Sequence, residues 1–239
     1  MPNEFLKPLQ MRAIPSGSVV DQIIEQIRQA LTSGRFKRGD KLPSEFELME
    51  ELQVSRNSLR EAMRVLGTMG VIEVRRGDGT YFCTEIKPSI MDFVVYSMLL
   101  EESNASEIVQ LRQTLDEDVL DLAMQHCTSE DITQLESYIG TMHTAFANGD
   151  IPSAAKADYD FHIYLAHCAR NRFLEHIVVG VYALFEPSIE RNIRTETLFA
   201  LADRHHQEIV QCLKEKDATA IPQVVARSLS SWRANIEKD

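Results

Sequence analysis

No apolar run in this 239-residue chain approaches the roughly 18 residues that a membrane-spanning helix needs. Its first residues, Met1-Pro2-Asn3-Glu4-Phe5-Leu6-Lys7, lack the charged start and apolar core of a secretory leader. No C-x-x-C pair occurs among the four cysteines, Cys83, Cys127, Cys168 and Cys212, which fall about 40 residues apart. The sequence therefore gives no support for a thiolate zinc site or a redox dithiol. Free, mostly buried thiols in a reducing cytoplasm are expected. Internal repeats and low-complexity tracts are also missing. These absences argue against membrane, secreted and disordered classes, and for a cytoplasmic protein.

An overall excess of positive charge is lacking too, but the balance is uneven. Residues 1–84 hold 12 Lys and Arg against 11 Asp and Glu, whereas residues 85–239 hold 13 against 25. The acidic part repels phosphate backbones, so any contact with nucleic acid is expected in the first 84 residues. With 44% hydrophobic residues, the chain can build a core in each part.

The first part reads as three helices and a ribbon. Val20, Ile23, Ile24, Ile27 and Leu31 recur on one helical face, ended by Gly34. Arg38-Gly39-Asp40 makes a turn, and Ser44 with Glu47 forms a capping-box pattern opening a second helix. Leu59, Ala62, Met63 and Leu66 give the inner face of a third, closed by Gly70. Val71-Ile72-Glu73-Val74 and Thr80-Tyr81-Phe82 flank the turn residues Arg75-Arg76-Gly77-Asp78-Gly79. This is the pattern of a winged helix-turn-helix. Ser55, Arg56, Asn57 and Ser58 then lie at the amino end of the recognition helix. Arg56 is suited to guanine O6 and N7, and Asn57 to adenine or a phosphate. Arg60 and Arg64 are placed for the backbone, and Arg75, Arg76 and Gly77 at the ribbon tip for the minor groove.

The runs Arg38-Gly39-Asp40-Lys41-Leu42-Pro43-Ser44-Glu45, Val54-Ser55-Arg56-Asn57-Ser58-Leu59-Arg60-Glu61-Ala62 and Gly70-Val71-Ile72, followed by Arg75-Arg76-Gly77-Asp78-Gly79-Thr80-Tyr81, resemble the DNA-binding domain of GntR-type bacterial transcription regulators. The resemblance implies DNA contacts at Ser44, Ser55, Arg56, Asn57, Ser58 and Arg60, with Arg76 and Gly77 at the wing tip. Relatives usually carry Arg two residues beyond Ser44, where this chain has Phe46. Lys41 or Arg35 is the expected partial replacement.

Beyond Pro88 the pattern is helical, with approximate helices at 89–101, 105–127, 129–148, 152–169, 171–194, 197–215 and 218–237. Asn104 with Glu107 and Thr128 with Asp131 are cap pairs, and Pro187 should kink or divide its helix. A mainly α chain is expected, with the winged helix-turn-helix followed by an all-α antiparallel bundle. The organisation read is an amino-terminal arm at 1–17, a DNA-binding domain at 18–84, a linker at 85–90, and an effector-binding and dimerisation domain at 91–236.

Asp158 and His162 stand one helical turn apart, and His206 opens the apolar stretch through Ile209, Val210 and Leu213. One carboxylate and two imidazoles suit a divalent metal such as Zn²⁺, Ni²⁺ or Mn²⁺. The segments Asp158-Tyr159-Asp160-Phe161-His162 with Asn171, Leu111-Arg112-Gln113-Thr114-Leu115-Asp116, and His206 with Asp217 resemble the FCD effector domain of the FadR subfamily. That resemblance implies a site built from one Asp and three His. Its first three ligands map to Asp158, His162 and His206, and its fourth position is Ser228. Either a three-ligand site completes itself with water or effector oxygens, or the pocket takes its effector directly. The adjacent Asp160 and His205 are expected to point elsewhere. Arg112 would either hold an effector carboxylate or pair with the surrounding Asp and Glu residues. Arg191, Arg194 and Arg204 either reach the pocket or form a solvated helix face.

Together these readings imply a repressor-type regulator, not an enzyme, acting as a homodimer on palindromic double-stranded operator DNA. Its expected effector is a small carboxylate such as a sugar acid or hydroxy acid. An acyl-CoA-responsive or purely metal-responsive regulator remains an alternative. A metal-dependent hydrolase using the same three ligands has no recognisable general base or oxyanion donors.

Overall fold

A computed structural model describes residues 18–85, 105–183 and 185–230. The arm at 1–17, the hinge around Pro88, the helix expected at 89–101, the cap at Asn104 and Trp232 lie outside the described residues. The chain divides into two compact units, Met1–Ile90 and Met91–Asp239.

In the first unit, helices α1 (Val19–Thr32), α2 (Glu45–Leu52) and α3 (Arg56–Thr68) precede strands β1 (Ile72–Arg75) and β2 (Gly79–Phe82). The capping box expected at Ser44 is present, and the structure adds a second one at Ser18. Ser18 and Asp21 cap α1, and Ser44 and Glu47 cap α2, so backbone donors at each helix start are satisfied. Gln53 ends α2 in the left-handed conformation, with φ 51°, and the chain turns at once into the α3 cap at Ser55. The strands pair antiparallel from Ile72 opposite Phe82 to Arg75 opposite Gly79. Ile23, Ile27, Leu48, Leu52, Leu59, Leu66, Ile72 and Phe82 form the shared core. Burying one face of α3 here leaves its polar face to solvent.

The second unit contains α4 (Ala105–His126), α5 (Ser129–Ala147), α6 (Ile151–Cys168), α7 (Arg172–Tyr182), α8 (Glu186–Asn192) and α9 (Glu196–Glu215). A 3₁₀ turn at Ala218–Ala220 leads into α10 (Ile221–Ser228). The stretch read as one helix at 171–194 is divided after Tyr182, and Pro187 lies in the first turn of α8. Proline has no N–H to lose at a helix start, so it opens a helix without the penalty it imposes mid-helix. α6 is central, packed against α4, α5, α7 and α8, while α4 also meets α9 and α10. The main core gathers Val119, Leu120, Leu135, Phe161, Leu165, Val181, Ile209, Leu213 and Val225. No described helix is long and apolar enough to cross a membrane.

Candidate DNA interface and effector cavity

The amino end of α3 is exposed and polar. Ser55 caps the helix by accepting from the Ser58 N–H at 3.2 Å, and the two hydroxyls meet at 2.9 Å. Arg56, Asn57, Arg60 and Arg64 are exposed. Both Arg56 and Arg60 face Glu45, the first residue of α2. Arg60 Nε lies 3.1 Å from Glu45 Oε2, and Arg56 Nε lies 3.9 Å from it. A carboxylate thus holds the two guanidiniums that the sequence assigns to DNA, a pairing that helical periodicity within α3 could not show.

The wing is internally braced. Lys41 Nζ pairs with Asp78 Oδ1 at 2.9 Å, and the Tyr81 hydroxyl donates to Asp78 Oδ2 at 2.8 Å. Arg75 pairs with Glu73 at 2.7 Å and stacks over the Tyr81 ring at 4.1 Å. Lys41 therefore ties the wing tip to the body while its side chain stays about half exposed. Gly79 has φ +150°, and a Cβ there would fall 2.6 Å from Lys41 Cε. Arg76 and Gly77 remain exposed at the tip, and Gly77 has φ +78°. Ser44 uses its hydroxyl in the α2 capping box. Arg35 is exposed on the turn after α1, close enough to Glu51 to oppose the rise that burial gives that carboxyl's pKa. Phe46 is 66% exposed.

In the helical unit, α4, α6, α8, α9 and α10 close around a cavity of about 40 Å³ within a recess of about 450 Å³. Arg112, Asp158, His162, His206 and Ser228 all line it. His162 Nε2 and His206 Nε2 are 3.3 Å apart, and His206 Nε2 is 3.4 Å from Asp158 Oδ1. Burial holds both imidazoles below their ordinary pKa, His162 further because His206 and Arg112 face it. Burial raises Asp158, against the pull of His206 and Arg112. Arg112 is 6% exposed, 3.6 Å from Asp116, and lies over the rings of Tyr182 and Phe185. The Tyr182 hydroxyl donates to Asp116. Burial disfavours the Arg112 charge, but Tyr182, Asp116 and Asp158 outweigh it and keep the guanidinium above its ordinary pKa.

The remaining sequence candidates separate by location. Ser228 Oγ donates to the Val225 carbonyl at 2.9 Å. Asp160 pairs with Lys156 outside the cavity. His205 departs from the expectation, because it is buried at 6% exposure and lines the same cavity. The recess is broad enough for two successive positions of α9 to border it. Arg191, Arg194 and Arg204 are exposed and do not line it. Asn171 and Asp217 serve as caps, of α7 and of the 3₁₀ turn. Asn192 and Ile189 on α8 border the cavity without any sequence signal.

Residues 19–82 match the family described as bacterial regulatory proteins, gntR family, and residues 107–231 match the FCD domain. The chain belongs to the GntR family of bacterial transcription regulators. Its FCD half fits the FadR-like branch. Among the relatives of this GntR regulator is an uncharacterized HTH-type transcriptional regulator of Bacillus subtilis, YcbG. It is 30% identical over 217 residues, covering 90% of this chain and 88% of the relative. The galactonate operon transcriptional repressor of Escherichia coli is 24% identical over 216 residues, covering 88% and 93%. A solved Streptococcus agalactiae GntR structure superposes with a TM-score of 0.62 at 26% identity, covering 90% of this chain and 99% of that one.

Proposed function

We propose that this GntR regulator is a repressor that binds palindromic operator DNA as a homodimer, and that a small carboxylate metabolite in the helical unit controls its affinity. The observation that carries this reading is a half-open cavity whose lining joins a buried guanidinium, Arg112, to the Asp158, His162 and His206 set. Arg112 offers a planar two-donor fork to a carboxylate, and the desolvated setting strengthens that pairing. A sugar acid or hydroxy acid supplies the carboxylate for Arg112 and hydroxyls for the imidazole side. Similarity to a galactonate operon repressor supports both the substrate class and the sign of regulation.

The donor set also fits a divalent metal. Two nitrogens and one oxygen lie within 4.8 Å of one another, and separations of 3.3 and 3.4 Å match the roughly 3.3 Å between neighbouring ligands of a tetrahedral site. Neutral imidazole is the ligating form, and burial favours it at both histidines. Asp158, His162 and His206 would hold the ion, with Ser228 lining the side where a fourth histidine would stand. The ion would supply a Lewis-acid centre for effector oxygens. His206 Nδ1 is buried without a hydrogen-bond partner among the described residues, so its ring orientation lacks the outer support that tight sites have.

On the DNA side, α3 enters the major groove with Arg56 and Asn57 at base edges, Arg60 and Arg64 on phosphates, and Arg76 with Gly77 at the minor groove. Effector binding shifts the population of dimers away from the arrangement that fits both half-sites. Gel-shift titration of operator DNA with sugar acids and hydroxy acids, with and without Zn²⁺ or Mn²⁺, tests the reading. Release of DNA by an acid in the wild type but not in Arg112→Ala supports it. Operator affinity unmoved by any acid contradicts it.

A further inference from the structure

Away from the effector cavity, two cysteines that are distant in sequence converge. Cys127 follows the last residue of α4, and Cys168 is the last residue of α6. Their sulfurs and a carboxylate oxygen of Asp131, in the first turn of α5, all lie within 4.8 Å of one another. Cys168 is fully buried, whereas Cys127 is partly open to solvent.

Three such groups resemble a metal site, but the carboxylate is already engaged. Asp131 Oδ1 accepts from the Tyr164 hydroxyl at 2.9 Å. Oδ2 accepts from Arg170 at 2.6 Å, from the Thr128 N–H at 2.9 Å and from the Thr128 hydroxyl at 3.1 Å. A dication would have to displace these donors and sit beside a guanidinium. The thiols, by contrast, are free to react with each other. Bringing the sulfurs to the roughly 2.05 Å of a disulfide requires a movement of under about 3 Å.

We propose that Cys127 and Cys168 form a peroxide-responsive thiol pair, which closes reversibly into a disulfide between the carboxy ends of α4 and α6. Cys127 is the attacking residue. The Cys168 S–H donates to its sulfur and lowers its pKa, burial and the Asp131 carboxylate oppose this, and the Arg170 guanidinium adds to the lowering. The same hydrogen bond holds Cys168 well above its ordinary value. Cys127 thiolate attacks one oxygen of hydrogen peroxide, the O–O bond breaks, and the departing hydroxide takes a proton to become water. The product is a Cys127 sulfenic acid. Cys168 is then released from its bond to the thiolate and attacks the Cys127 sulfur. The S–O bond breaks, and hydroxide leaves with the Cys168 proton as a second water. Two thiols lose two electrons and one peroxide gains them.

The crosslink would act on the helices that build the effector cavity, since α4 carries Arg112 and α6 carries Asp158 and His162. The proposal does not depend on which effector, or whether any metal, occupies that cavity.

The full chain should be treated with a small excess of hydrogen peroxide, blocked with N-ethylmaleimide, and digested without reductant for mass spectrometry. The expected product joins the Cys127 and Cys168 peptides within one chain. Titratable thiols fall from four to two, and dithiothreitol restores them. The oxidised protein should also melt several degrees higher. In Cys168→Ser, the crosslink should vanish and dimedone should trap the sulfenic acid at Cys127. Survival of all four thiols, or pairing that involves Cys83 or Cys212 first, would overturn the proposal. So would protection of Cys127 and Cys168 from maleimide by equimolar Zn²⁺ with no crosslink on peroxide, which would make the cluster a metal site.

Discussion

His162 on α6 and His206 on α9, 44 positions apart in sequence, turn their Nε2 atoms toward each other at 3.3 Å inside the helical unit. Two desolvated neutral imidazoles with Asp158 beside them form a candidate metal-binding group, and Ser228, which lines the same cavity, takes the fourth-ligand position in the proposed reading. Ser228→His should therefore raise Zn²⁺ affinity at least tenfold, or by about 1.4 kcal/mol, measured by competition with a chromophoric chelator. His206→Ala should abolish binding at this site. Equal affinity in wild type and Ser228→His would remove the fourth position from the site.

Glu45 restrains the reading helix. Glu45→Gln removes the charge facing Arg56 and Arg60 and should tighten binding to DNA of any sequence, with a salt dependence steeper by about one unit in log K against log salt. Arg60→Ala should flatten the slope by a similar amount. Fluorescence anisotropy on a mixed-sequence duplex at several salt concentrations measures both, and unchanged slopes would place these arginines away from the phosphates.

Phe46 exposes an aromatic ring on α2, at the position where the family resemblance leads to the expectation of an arginine. Phe46→Arg should add one phosphate contact, strengthening operator binding severalfold at moderate salt while leaving thermal stability nearly unchanged. Weaker binding in this variant would show that the ring itself contributes to the interface.

Asp131 ties α5, α6 and the Cys168 end of the bundle together. Burial works against its charge, but the Thr128 N–H, Tyr164 and Arg170 outweigh it and hold the carboxyl below its ordinary pKa. Because the folded value is lower than the unfolded one, the stabilisation is complete above about pH 4 and is lost as pH falls through the folded value. Asp131→Asn should cost about 2 kcal/mol at neutral pH and converge with wild type in acid. Urea unfolding monitored at both pH values tests this. A gap that stays constant with pH would mean the charge is not the stabilising feature.

Much of the fold was legible because its signals are local. Ser44 and Thr128 each cap the helix they precede, and a capping box needs only four residues of context. The alternation around Gly77 and Gly79 placed the ribbon for the same reason. Asp158 and His162 could be paired from their spacing on α6. The encounters between separate elements were not legible: Glu45 with Arg60, Tyr182 with Asp116, and Cys127 with Cys168. No periodicity links residues 15, 66 or 41 positions apart, so only the packed structure reveals them. His205 shows the limit from the other side, since a 100° step between neighbours moves a side chain out of a narrow contact but not out of a wide recess.

The central claim is that the amino end of α3 reads DNA sequence. Selection of bound duplexes from a random pool by the full-length protein tests it most directly. Wild type is expected to enrich a palindromic sequence. Arg56→Ala should lose about 1–3 kcal/mol of affinity for it and relax discrimination at one base in each half-site. Enrichment of the same sequence with undiminished affinity by Arg56→Ala and Asn57→Ala would contradict the assignment.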